Sequence, residues 1–227
     1  MKAVVLLSGG LDSTTTLAHA ISKGYDVVPL TVHYGQRHSR ELDSARAVAA
    51  HYGLKYHVIT ELDLSFLRTS ALTSRDVAVP LRESAEGIGS DIPVTYVPAR
   101  NIIMLSLAAG LCETVGGEAI FIGANAVDYS GYPDCRPEFF NAFQEVLRVG
   151  TKSGVEGKPI RVEAPILRMT KAEIVKLGTE LKAPLHLTWS CYNGGDRACG
   201  RCDSCLLRLK GFQEARVVDP IDYEVRS

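Results

Sequence analysis

The sequence predicts an α/β fold: an open parallel β-sheet with helices on both faces, followed by a short segment built around four cysteines. Three observations carry that expectation. Apolar runs alternate with stretches of helical period from Val4 to Ile59, a Ser-Gly-Gly turn joins the first run to the first helix, and four of the six cysteines lie between Cys191 and Cys205. The 227 residues are 46% hydrophobic and 22% charged, with a formal net charge of -1, an ordinary soluble composition for one large domain or a domain with an appendage. Near-neutrality argues against broad contact with a nucleic-acid backbone and favours a small-molecule substrate. No apolar run reaches the roughly 18 residues of a membrane span, and Met1-Lys2-Ala3 enters a strand rather than a signal peptide. A cytoplasmic protein is expected.

The first strand runs into Leu7, and Ser8-Gly9-Gly10-Leu11-Asp12-Ser13 leads at once into a helix from Ser13 to Ser22, stopped by Gly24. The first N–H groups of a helix have no internal partner and carry the positive end of the peptide dipoles, so this turn should hold a phosphate or pyrophosphate. Gly9 and Gly10 keep side chains out of its mouth. The string is neither Gly-x-x-x-x-Gly-Lys-Ser/Thr nor Gly-x-Gly-x-x-Gly. Asp12 instead offers a carboxylate beside the anion, which makes sense with Mg²⁺ between them.

Asp26 to Tyr34 reads as strand two, with Pro29 counting against its middle. Thr31 to His38 follows as a polar and aromatic cluster at the strand's C-terminal end, where open α/β sheets bind ligands. Backbone groups near Val32 are placed to read an adenine edge there, and His33 is either a further contact or a satisfied structural histidine. Ser39 caps a helix with Leu42, Ala45, Val48 and Ala49 on one face, and Lys55 to Ile59 makes strand three. The stretch 64–98, rich in arginine, glycine and proline, reads as an insertion covering the substrate mouth, loosest from Ser84 to Ser90. Arg100 and Asn101 open an apolar helix reaching about Val115, expected to be buried on at least two sides, and put polar groups where anionic oxygens would be welcome.

Glu118 to Ile122 is another buried strand. The loop Gly123 to Arg136 leaves its end with Asp128, Tyr129, Tyr132, Asp134 and Arg136, able to stack on a planar heterocycle and accept from its amidine-like edge. Glu138 to Val149 is helical, and its Phe139, Phe140, Phe143, Val146 and Leu147 form an apolar face wide enough to suggest a homodimer interface. Ile160 to Ala164 is the last strand. Thr170 and Glu173 then match a capping box, which puts Lys171 in a first turn where its charge opposes the dipole and needs a reason.

Cys191, Cys199, Cys202 and Cys205 supply four sulfurs with glycines between them, a soft tetrahedral set that points to Zn²⁺ or an iron–sulfur cluster, with zinc favoured because nothing nearby suggests redox work. All four positions would be protein-supplied, so the site is structural. The expected division is a nucleotide-binding and catalytic domain over 1–185 and a zinc-binding segment over 186–227.

Ser8-Gly9-Gly10-Leu11-Asp12-Ser13 resembles the pyrophosphate loop (PP-loop) of the ATP pyrophosphatase superfamily, whose Rossmann-like, adenine nucleotide alpha hydrolase-like fold adenylates a carboxyl, amide or base oxygen. Together with Tyr96-Val97-Pro98-Ala99-Arg100-Asn101, the 123–136 loop, Thr170-Lys171 and the four-cysteine tail, it is similar to the 7-cyano-7-deazaguanine synthase family over essentially the whole chain. The resemblance implies a ligase that uses ATP, Mg²⁺ and ammonia to turn 7-carboxy-7-deazaguanine into the nitrile preQ₀ in queuosine biosynthesis. It implies nucleotide contacts from Leu7, Ser8, Gly9, Gly10, Leu11, Asp12, Ser13, Val32, His33, Asn101 and Gly123. It assigns Asp12, Arg100 and Lys171 to catalysis, and Asp128, Tyr129, Tyr132, Asp134 and Arg136 to the deazapurine. Two rivals stay open: a PP-loop tRNA-modifying enzyme that thiolates through Cys135 or adenylates, and a zinc ribbon that binds nucleic acid through Arg197, Arg201, Arg208 and Lys210.

Overall fold

The computed structural model describes residues 1–86, 88, 92–127 and 131–225. Among these, strands β1 (Lys2–Leu6), β2 (Asp26–His33), β3 (Val58–Glu61), β4 (Ala119–Phe121) and β5 (Arg161–Glu163) form one parallel sheet in the order β3-β2-β1-β4-β5. The helices are α1 (Leu11–Ser22), α2 (Arg40–His51), α3 (Arg100–Thr114), α4 (Pro137–Gly150), α5 (Lys152–Val155), α6 (Lys171–Glu180) and α7 (Asp203–Ala215). Side chains alternate along β1. Ala3, Val5 and Leu7 pack with Leu17 and Ala20 of α1 and Ala45 and Val48 of α2, whereas Val4 packs with Leu105 and Ala108 of α3 and Phe140 and Phe143 of α4. The sheet therefore carries helices on both faces, as a Rossmann-like fold requires. The chain steps outward from β1 to β3 and returns beyond β1 at β4, so the strand order reverses between β1 and β4. A crevice opens at that reversal, at the strands' C-terminal ends.

Pro29 sits inside β2 without breaking it. Leu7 N donates to Leu30 O at 2.9 Å, so Leu30 faces β1 and Pro29 faces the other way, where β3 begins pairing only opposite Leu30. The missing donor is asked for by no neighbour. The same register moves β3 to Val58–Glu61, later than the expected Lys55–Ile59, because β2 offers partners only from Leu30 onward. Ser39 stands at the start of α2, but its side chain makes no capping bond. Helix α3 buries Met104, Leu105, Ala108, Ala109 and Cys112 yet leaves Ile102 and Leu107 exposed, so it is covered on one side rather than two. In α4, Phe140, Phe143 and Leu147 serve the chain's own core, and Val146 and Val149 remain outside.

The insertion is pinned where it is described. Arg82 N donates to Arg201 O at 2.8 Å, Arg82 Nε meets Asp203 at 2.8 Å, and Ala71 and Val79 join Trp189, Cys191, Cys202 and Cys205 in one apolar cluster. Ala71, Val77, Val79 and Arg82 thus strap the insertion to the cysteine segment, while Leu64, Leu67 and Leu72 pack against the main core. Gly87, Gly89 and Ser90 of the expected loosest stretch, and Asp91 beyond it, lie outside the described residues.

Arg208 ties the C-terminal part together. It is 1% exposed, donates from Nε and Nη2 to the two Asp219 oxygens at 2.8 and 2.9 Å, and from Nη1 to Thr188 Oγ1 at 2.7 Å. Tyr223 donates to the same carboxylate at 2.7 Å. This arginine is therefore not available to nucleic acid, contrary to the zinc-ribbon rival. Arg208→Met should cost about 3–5 kcal/mol in denaturant unfolding, because it strands a buried carboxylate. A loss under about 1 kcal/mol would show the pair to be dispensable.

Candidate active site

The Ser8–Ser13 turn leaves β1 at the crevice. Gly9 adopts φ +81°, and a Cβ there would lie 2.5 Å from both Ala45 N and Glu41 O of α2, so glycine alone fits between turn and helix. Two hydroxyls lock the turn: Ser8 N donates to Ser13 Oγ at 3.2 Å, Gly10 N donates to Ser8 Oγ at 3.3 Å, and Ser13 Oγ donates to Gly10 O at 3.2 Å. The first intrahelical bond of α1 is Thr14 N to Gly10 O at 3.0 Å, and no side chain caps the helix. The N–H groups of Leu11, Asp12 and Ser13 thus lack intrahelical acceptors, which makes an anion cradle.

A cavity of about 280 Å³ opens over this turn. Its walls include Leu7, Ser8, Gly10, Leu11, Asp12 and Ser13; Val32, Tyr34 and Gln36 after β2; Glu41 of α2; Arg100 and Asn101 of α3; Gly123 and Asn125 after β4; Tyr132, Cys135, Lys171 and Trp189. Gly9 supports the turn from behind. His33 does not line the cavity: strand alternation aims it away from Val32's side, and its carbonyl accepts from Leu62 N at 2.7 Å.

Lys171 receives its reason. Its Nζ donates to Asp12 Oδ1 and Oδ2 at 2.9 and 2.8 Å, a near-buried amine on a partly exposed carboxylate. The capping box at Thr170 and Glu173 is complete, so the helix end that presents Lys171 is fixed. On α7, Gly211 makes room for the lysine stem: a Cβ would stand 2.4 Å from Lys171 Cγ and 2.8 Å from its Cβ. Gly211→Ala should push Lys171 off Asp12, lower turnover about tenfold and cost about 1–3 kcal/mol. Wild-type kinetics in that variant would show that the stem has slack.

The 131–136 turn does other work than expected. Asp134 is buried, and its Oδ2 accepts from Asn101 N at 3.0 Å, while Asn101 Nδ2 donates back to Asp134 O at 3.0 Å. A carboxylate closing the N-terminus of α3 suits the helix dipole, and it turns Asp134 away from substrate recognition. Arg136 is exposed at the start of α4 and is not part of the cavity wall. Tyr132 does line the cavity, with its hydroxyl 2.8 Å from Thr95 Oγ1. Asp128 and Tyr129 lie outside the described residues. Asn125, not singled out from the sequence, binds the carbonyls of Ile166 and Met169 at 3.1 and 2.6 Å and so ties the β4 loop to the start of α6.

The Arg37–Arg40 stretch holds the insertion and the cysteine segment. Arg37 donates to the carbonyls of Ser74 and Val77 at 3.2 and 2.9 Å, His38 Nε2 donates to Cys191 O at 3.0 Å, and Arg40 lies 4.6 Å over the Trp189 ring. Trp189 N in turn donates to Gly9 O at 2.9 Å.

The four cysteine sulfurs lie within 4.8 Å of one another, near the separation of about 3.8 Å that a tetrahedral centre with ~2.3 Å Zn–S bonds demands. Backbone N–H groups of Cys199 and Cys202 donate to Cys191 and Cys199 sulfurs at 3.3 Å, a pattern that favours thiolates. Hydrogen bonding from its neighbours holds the Cys191 thiol far below its ordinary value, and Cys191 pushes Cys202 up to about 12. Sulfurs this close do not all ionise without a cation, so the donor set fits a metal. Cys135 is different: burial, chiefly, raises its thiol to about 11, and Asn101 Nδ2 donates to it at 3.3 Å.

The family model for the queuosine biosynthesis protein QueC matches residues 2–216. The chain belongs to the QueC family. It is 57% identical over 226 residues to the 7-cyano-7-deazaguanine synthase of Acetivibrio thermocellus, covering 100% of this chain and 99% of that one. It is 55% identical over 223 residues to the enzyme of the same name from Thermoplasma acidophilum, covering 98% and 92%. The QueC match thus spans the anion cradle and the cysteine cluster alike. Among the described residues, no helix is long and apolar enough to cross a membrane.

Proposed function

We infer that this chain is a 7-cyano-7-deazaguanine synthase that converts 7-carboxy-7-deazaguanine and ammonia into preQ₀ with cleavage of ATP to AMP and pyrophosphate. The observation that carries the reading is the union, in one QueC chain, of an anion cradle at the head of α1 with a cavity large enough for a substrate beside it. The acid's carboxylate attacks the α-phosphorus and pyrophosphate leaves into the cradle. Ammonia displaces AMP from the acyl-adenylate to give the amide. A second adenylation, on the amide oxygen, makes AMP a leaving group again, and loss of the nitrogen's protons gives the nitrile.

Ser8, Gly10 and the N–H groups of Leu11 to Ser13 would hold the departing pyrophosphate. Mg²⁺, when bound, neutralises phosphate charge, and Asp12 is the carboxylate placed to hold it. Lys171 sits where it can pass from Asp12 to a phosphate oxygen, and Arg100 adds positive charge from the start of α3. Val32 offers its backbone to adenine, and Gly123 and Asn101 close the nucleotide side. Tyr132 would frame the deazapurine; Asp128 and Tyr129, assigned to it by the family resemblance, lie outside the described residues. The four cysteines would hold structural Zn²⁺. Val146 and Val149 of α4 and Ile102 and Leu107 of α3 are exposed apolar residues suited to a homodimer interface.

Mass spectrometry of the protein with ATP, ammonium and 7-carboxy-7-deazaguanine should show the amide, then the nitrile, with AMP formed. Modified tRNA that depends on a sulfur donor would favour the thiolating rival, against which Cys135's raised pKa already counts. ADP and orthophosphate as products would overturn the reading.

A further inference from the structure

Glu41 stands in the wall of the cavity without a task in the reaction above. It lies in the first turn of α2, and its own carbonyl abuts Gly9, which places the residue beside the pyrophosphate turn. Arg100 faces it from α3 and Tyr34 from just beyond β2, with Arg100 Nη1 3.5 Å from the Tyr34 hydroxyl. Tyr132 and Cys135 reach the cavity from the turn before α4, and Asp12 and Lys171, paired with each other, reach it from α1 and α6. Among the described residues the Glu41 carboxylate makes no hydrogen bond and no ion pair. Leu42, Leu72 and Met104 add apolar wall to the same cavity.

We propose that Glu41 accepts the proton of ammonium inside the cavity, so that ammonia is set free beside the acyl-adenylate. The inference rests on the amide-forming reading above. One N–H bond of ammonium breaks and its proton passes to the carboxylate. The nitrogen lone pair then forms the C–N bond, the C–O bond to AMP breaks with its electron pair going to AMP, and the nitrogen sheds a second proton to solvent. Glu41 returns its own proton to water before the next round. An ordinary glutamate, at about 4.3, is too weak a base for this task. Burial lifts Glu41 to about 7, with the Arg100 charge opposing the rise. It is therefore ionised above that pH and a usable base there.

A nucleophile that is already neutral near pH 7 needs no such help, and hydroxylamine is one. With the intact protein, Glu41→Gln should raise the ratio of hydroxylamine to ammonium use at least about tenfold at pH 7, and ammonium use should recover as free ammonia rises with pH. An equal fall with both nucleophiles would make Glu41 a support for Arg100 only, and no change in the ratio would overturn the proposal. If the variant does not fold, the wild type decides. At subsaturating ammonium the rate should level off near pH 7, whereas a continued rise to the pKa of free ammonium would refute a role for Glu41. Exchange of labelled pyrophosphate into ATP that depends on the acid, without ammonium, reports the adenylation half separately. Its absence from the wild type would remove the acyl-adenylate itself, a failure distinct from the failure of Glu41.

Discussion

Asp12→Asn is expected to lower turnover by about two to three orders of magnitude while changing the melting temperature little and leaving the metal content as it is. Asparagine keeps the shape of the side chain and loses its charge. Lys171 is near-buried and Asp12's side chain 25% exposed, and asparagine still offers the amine an oxygen acceptor, so the loss in stability is small beside the loss in chemistry. A neutral amide is a poor Mg²⁺ ligand, and Lys171, no longer held by two carboxylate contacts, loses its set position opposite the cradle. AMP release under saturating substrates, circular dichroism and metal analysis on the same preparation test this. Turnover within about fivefold of wild type would take Asp12 out of the mechanism.

Cys199→Ser is expected to act in the opposite order, losing metal first, then stability, and activity only as a result. A structural Zn²⁺ site can supply roughly 10 kcal/mol, comparable to the whole net stability of a domain. Cys199 is the partly exposed member of the cluster, and its sulfur also accepts from Cys202 N and lies 3.9 Å from that of Cys205. Removing it leaves three thiols around an apolar cluster that includes Ala71 and Val79 of the insertion. Metal analysis and thermal unfolding should show the loss together, and an excess of zinc should not restore the melting temperature. A soluble, metal-free and fully active variant would refute a structural role for the metal.

Much of this was legible in the residues, and the reason is local. The turn from Ser8 to Ser13, the capping box at Thr170, the sulfur spacing and the alternation along β1 are set by neighbours in sequence, where periodicity and turn chemistry speak directly. The misreadings concern polar residues whose partners are far along the chain. Asp134 looked like a ligand for a heterocycle because nothing nearby told that Asn101, 33 positions earlier, would present a bare helix N–H to it. Arg208 looked like surface charge beside a zinc ribbon, and Asp219 buried it. Arg37 and His38 looked like ligand contacts at a strand end, and they hold the insertion and the cysteine segment. Glu41 carries no signal in the sequence, and only its place in the cavity wall sets it apart.

The bond from Trp189 N to the Gly9 carbonyl joins residues whose numbers differ by 180. During synthesis the first three strands and their helices emerge long before that partner exists. A nascent chain therefore displays the anion cradle with one side still open, and only the arrival of the cysteine segment completes it. Residues far apart in sequence must therefore both be folded before the cradle's support is complete.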